Sequence, residues 1–189
     1  MSKSDEVYKY IDSKLEYLKN NRDTGKGRRI MANLRRGVGK QPGELPELWG
    51  IIFEGISDNM LQKNQVSYEE WSIYTALTLY ALHQQGCENN MNQKKISIGH
   101  AVARLIKNDD DESRILKRLH LVVTAVSLED MAYHLRGIIQ LLKQAEIPLD
   151  YAKFAKELYW FHDEEIAQNI KLQWGRDFWM ERNKANKKD

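Results

Sequence analysis

With 189 residues, 42% hydrophobic and 30% charged, the chain can bury a sizeable core and is too apolar to stay disordered. No apolar run reaches about 18 residues, which excludes a membrane-spanning helix, and a single cysteine, Cys87, excludes an internal disulfide framework. The net charge of +2 hides an asymmetry: residues 1–40 hold 11 Lys and Arg against 5 acids, whereas residues 41–73 hold six acids and only Lys63.

The pattern is helical from end to end. Val7, Tyr10, Ile11, Leu15 and Leu18 recur at three- and four-residue steps and predict a first amphipathic helix. A second is expected from about Arg28 to Arg36, stopping at Gly37, where a positive φ is anticipated. Pro46 suits the start of a short helix through Ile56, with Trp49, Ile52 and Phe53 inward. Ser67 and Glu70 form a capping box for a long helix to Gln85, closed by Gly86.

The polar stretch Cys87–Lys95 reads as a linker, dividing one helical domain into sub-bundles of roughly 1–93 and 94–189. A helix from Ile98 to Lys107 follows. The acids Asp109 to Glu112 precede the next, expected over Ser113–Ala125, and complement its positive N-terminal end. Ser127 and Asp130 cap a helix to about Gln144, on which Arg136 and Lys143, seven residues apart, share a flank. Pro148 begins an eighth helix, and a ninth runs from Glu164 to Arg182 into the basic tail Lys184-Lys187-Lys188. No strand, repeat or low-complexity segment stands out: the expected fold is all-α, about nine helices in two packed sub-bundles.

Catalytic signatures are missing. Gly37-Val38-Gly39-Lys40 lacks the leading glycine, the following Ser or Thr and the preceding strand of a phosphate-binding loop. No two of the five histidines have the four-residue spacing that would present a metal on one helix face. Neither an enzyme nor a cofactor is expected. The five tryptophans read mainly as core residues rather than base-stacking platforms. What remains is cationic. Between Thr24 and Lys40 stand Lys26, Arg28, Arg29, Arg35, Arg36 and Lys40 with no intervening acid. Arg114, Lys117 and Arg118 oppose the apolar face of their own helix. Arg35, Arg36, Lys40, Arg114, Arg118, Arg136 and Lys143 are therefore the candidate nucleic-acid-binding residues, able to hold phosphates without reading bases. Two other classes are weighed against this: a protein–protein scaffold docking through the acidic middle, and a metal hydrolase built on Asp109–Glu112.

The chain resembles the small subunit (CasB) of the type I-E Cascade CRISPR interference complex. The resemblance is carried by Leu34–Trp49, the segment Ala76-Leu77-Thr78-Leu79-Tyr80-Ala81-Leu82-His83, and Ser97-Ile98-Gly99-His100-Ala101. It continues through His134-Leu135-Arg136-Gly137, Ile147-Pro148-Leu149-Asp150-Tyr151 and Trp174-Gly175-Arg176-Asp177-Phe178. It implies a non-enzymatic subunit present in two copies beside the large and backbone subunits, and the lone Cys87 separately fits a reducing, cytoplasmic address. There it would touch guide RNA and target DNA backbones, hold the displaced strand and stabilise the R-loop in antiviral defence. Carried over by position, the family's arginine pair falls on Arg35 and Arg36, its basic helix start on Arg114, and its Leu-Arg on Arg136. His100 and the stretch His162–Glu165 depart from the basic residues of some relatives.

Overall fold

The computed structural model describes residues 2–185 and 187, apart from the side chains of Asp109 and Asp110. Lys188 of the basic tail lies outside them. Among the described residues there are nine α-helices and no sheet: α1 (Lys3–Asn20), α2 (Gly25–Arg36), α3 (Trp49–Phe53), α4 (Tyr68–Gln84), α5 (Ile98–Ala103), α6 (Asp109–Val123), α7 (Leu128–Gln144), α8 (Tyr151–Tyr159) and α9 (Glu164–Ala185).

α4 is the axis. It is buried on almost every side, as a helix must be when it is apolar all round, and α1, α2, α7 and α8 pack around it. Its start is the expected capping box: Ser67 Oγ accepts from the Glu70 N–H at 3.0 Å, and Glu70 accepts from the Ser67 N–H at 2.7 Å. The same serine donates to the Met60 carbonyl, which fixes how the preceding loop enters. Ser127 likewise caps α7 by accepting from the Asp130 N–H at 3.1 Å.

The segment 87–95 is firmly stapled. Leu149 and Asp150 exchange backbone hydrogen bonds with Met91, Gln93 and Ile96, and Asn92 accepts from the Tyr151 N–H at 3.0 Å. Met91 is buried beneath, and one continuous apolar core extends through the helices on both sides of this segment.

α8 starts at Tyr151 behind its cap Asp150, not at Pro148, because Leu149 and Asp150 are bound to the 91–96 segment. Local expectation and structure part more widely in three places. Gly37 is not left-handed; its φ is −75°, and the positive φ falls on Gly39 at 81°. Gly37 is needed for closeness instead. A Cβ there would lie 2.7 Å from Tyr74 Oη and 2.9 Å from Leu48, and Tyr74 donates to the Gly37 carbonyl at 2.9 Å. The helix expected over 46–56 is a 3₁₀ turn, Pro46–Leu48, followed by the five-residue α3, which leaves Trp49 52% exposed. α5 ends at Ala103, and α6 starts at Asp109 with Asn108 as its cap, so the acidic run forms the first turn rather than preceding it.

His83 sits fully buried where α4 meets α8, its Nδ1 3.0 Å from Tyr151 Oη. Desolvation pushes its pKa down to about 4, outweighing the opposite pull of the Leu142 and Ile147 carbonyls. The folded state therefore binds fewer protons than the unfolded one between pH 6.5 and 4, so stability is complete above that window and declines as pH falls through it. Denaturant titrations should find the protein about 2 kcal/mol less stable at pH 5 than at pH 7. The loss should be largely absent in His83→Gln; an equal loss in that variant would assign it to other groups.

Candidate nucleic-acid interface

α6 and α7 form an antiparallel hairpin joined by residues 124–127. Each buries one stripe: Ile115, Leu119 and Val122 on α6, Met131, Leu135, Ile138 and Leu142 on α7. The 3.6-residue period then turns Arg114, Arg118 and Leu121 outward on α6, and Tyr133, Arg136 and Gln140 outward on α7. Arg118 lies across α7 at Gly137, where a Cβ would be 3.6 Å from its Nη1.

Two cavities meet at this hairpin. One, about 360 Å³, is lined by Arg118, Leu121, Tyr133, Arg136 and Gln140. The other, about 130 Å³, lies between α4, α7 and the glycine loop, and Lys40 borders it. Arg136 and Tyr133 line both. The structure thus brings Lys40, Arg136 and Arg118 together along one surface, from loop to hairpin. Among the described residues neither Arg118 nor Arg136 has a carboxylate within ion-pair distance, while Lys40 is 3.6 Å from Glu44. Two uncompensated guanidinium groups lining one cleft repel each other and favour an anion there.

The other expected residues stand differently. Arg114, one turn before Arg118, is paired with Asp111 at 2.5 Å. Arg36 is paired with Glu47 at 3.0 Å. Arg35 is half-buried in the last turn of α2. Lys143 donates to Gln85 Oε1 at 3.0 Å and so ties α7 to the end of α4. Lys14, Lys26 and Arg29 border a separate groove of about 480 Å³ between α1, α2 and α3, shared with Glu47 and Glu54.

Sequence reasoning passed over Tyr133, 71% exposed in the middle of the cationic surface. Its signal was its place off the Met131–Leu135–Ile138 stripe, three residues before Arg136. Among the tryptophans, Trp71 and Trp174 are core residues and Trp160 is half-buried, but Trp49 and Trp179 are about half exposed.

One cluster has the composition of a nucleophilic triad: Ser97, His100 and Asp177. Ser97 Oγ, itself buried, donates to Asp177 at 2.5 Å and caps α5, while His100 Nδ1 is 2.9 Å from the same hydroxyl. A hydroxyl spent on the carboxylate is not poised toward a substrate, and the arrangement lashes α5 to α9. Cys87 is buried with its thiol directed at the His83 carbonyl, and burial raises its pKa, so it is unreactive. Among the described residues no group of three His, Cys, Asp or Glu side chains could hold a metal. Glu112 of the acidic run is engaged by Arg182 at 2.9 Å.

An all-α protein presenting a cationic, tyrosine-bearing surface on a helical hairpin is the class these features define. The chain belongs to the CRISPR-associated protein Cse2 family, whose family model matches residues 30–179. It is similar to CasB from Thermobifida fusca, with 32% identity and a TM-score of 0.78 over 92% of this chain and 97% of that one. CasB from M. ruber shares the fold at 20% identity and a TM-score of 0.69, over 99% and 98% of the two chains. A chain of a CRISPR RNA-guided surveillance complex also shares it, at 16% identity and a TM-score of 0.72, over 96% and 98%. No curated protein sequence matches the chain.

Proposed function

We propose that this chain is the small, non-enzymatic subunit of an RNA-guided CRISPR surveillance complex of the type I-E Cascade kind. In that role two copies sit beside the large and backbone subunits in the cytoplasm. They contact guide and target backbones and the displaced DNA strand, without base readout along the track, and so stabilise the R-loop. R-loop formation is nearly balanced in energy, so a few backbone contacts suffice to tip it. Family membership supports the assembly, and the convergence of Lys40, Arg136 and Arg118 on one surface is the observation that carries the nucleic-acid part. Arg35, Arg36, Arg114 and Lys143 are assigned supporting contacts, since three of them already have polar partners.

A scaffold docking through its acidic middle is less well supported. Of those six acids, Glu44, Glu47 and Glu69 pair with Lys40, Arg36 and Lys3, and Glu70 caps α4. Their charge is largely spent within the chain. The test is a salt series with single-stranded DNA. Three phosphate contacts predict a slope of about −2 in log affinity against log salt, or about fifteenfold weaker binding at 200 mM than at 50 mM. A flat profile would favour the scaffold.

A further inference from the structure

We infer that the cavity bordered by Lys40 is a pocket for one unstacked pyrimidine base, cytosine above all, of a single strand whose phosphates follow Lys40, Arg136 and Arg118. The inference rests on the phosphate-contact reading above and adds to it a base contact that the seven cations cannot supply.

Size comes first. The cavity is about 130 Å³, close to the roughly 150 Å³ apolar cavity that holds one benzene. A single six-membered ring fits within it, whereas a fused purine would stand partly outside. The walls suit such a ring. Trp71 and Tyr74 line it from α4 and the exposed Tyr133 from α7, which gives π-surface both inside and at the rim. Tyr74 is held in place by donating to the Gly37 carbonyl at 2.9 Å, and this draws the glycine loop over the cavity.

Polar groups then choose among pyrimidines. Gln41 and Glu129 border the cavity, and Gln41 Nε2 donates to Glu129 Oε1 in a long 3.3 Å bond at the surface. A backbone hydrogen bond at the start of α7, with help from Gln41, holds the Glu129 carboxyl below the usual carboxylate range. It is thus purely an acceptor at neutral pH. Cytosine offers it the N4 amine, while the Gln41 amide N–H is free to turn to the cytosine O2 or N3. Thymine and uracil present a carbonyl oxygen where cytosine carries that amine, and an oxygen facing the carboxylate is repelled. Lys40 and Arg136 at the border receive the flanking phosphates, so the strand along the hairpin turns one base inward at Tyr133.

The test uses the 189-residue chain and fluorescent 20-mers dC, dT, dA and rC, with an abasic deoxyribose strand of equal charge, each titrated across the same salt series. Binding to dC or rC should be about tenfold tighter than to the abasic strand, at equal salt slope. Stacked dA resists binding by itself, so the decisive quantity is the dC-to-dA ratio relative to Ala132→Leu. That substitution fills the cavity from α7 without changing charge and should bring the ratio down severalfold. Glu129→Gln should bring dC and dT to parity, and it decides alone if circular dichroism shows Ala132→Leu unfolded. The tighter of dC and rC identifies whether DNA or RNA supplies the base. Salt-dependent binding with equal affinity for dC and the abasic strand, untouched by either variant, would overturn the pocket and leave the phosphate track standing. Absence of salt-dependent binding would overturn both.

Discussion

Replacing Lys40, Arg118 and Arg136 together by glutamate should weaken binding to single-stranded DNA at least about tenfold and remove most of its salt dependence, because about three counterion-releasing contacts disappear. The fold should survive. All three side chains stand at the surface, and neither arginine is bound into an ion pair among the described residues. The comparison that gives this result meaning is a second variant reversing Arg36 and Arg114. Those guanidinium groups already carry Glu47 and Asp111, so part of their charge is neutralised before any strand arrives. Exposed pairs of this kind contribute little to stability, so this variant too should fold, with a smaller loss of affinity per residue. Equal affinity of the first variant and the native protein, by fluorescence anisotropy across the salt series, would remove these side chains from the interface.

The largest expected effect on stability comes from one methyl group. Gly99 sits in α5 at its crossing with α9, where a Cβ would lie 2.1 Å from the Trp174 carbonyl oxygen and 3.0 Å from the Phe178 backbone nitrogen. Backbone cannot turn aside as a side chain can. Gly99→Ala must push α5 and α9 apart, and α9 carries Trp174, fully buried, whose indole N–H donates to Glu157 at 2.9 Å. The expected destabilisation is about 3 kcal/mol, which for a chain of this size lowers the melting temperature by about 10 °C. Alanine's better helix propensity, worth about 1 kcal/mol, opposes this without cancelling it. A melting temperature unchanged or raised in Gly99→Ala would show that the crossing is looser than the geometry states.

Helices and caps were legible because their causes are local. The Val7–Leu18 spacing, Ser67 with Glu70, and Ser127 with Asp130 each act within four residues, and each appears as read. Gly37 was legible as a special position but for the wrong reason: its neighbours Tyr74, Thr78 and Leu48 come from elsewhere in the chain. Trp49 misled because the inner side of a five-residue helix is decided by what packs against it, not by its own period. At the candidate site, the outward direction of Arg118 and Arg136 followed from their helices. The Asp111–Arg114 pair was within reach as a three-residue step, whereas Arg36–Glu47 needed the loop to fold back. The small cavity was not legible at all, since residues 38–41, 71–79 and 129–136 meet only in the folded chain.

On the reading proposed above, the surface carrying Lys40, Tyr133, Arg136 and Arg118 faces nucleic acid in the assembled complex. A photoreactive benzophenone amino acid in place of Tyr133, irradiated in a reconstituted complex carrying labelled guide and target strands, would report what this surface touches. A covalent adduct between this chain and a nucleic-acid strand is the expected result. Adducts formed only with protein subunits would contradict that reading.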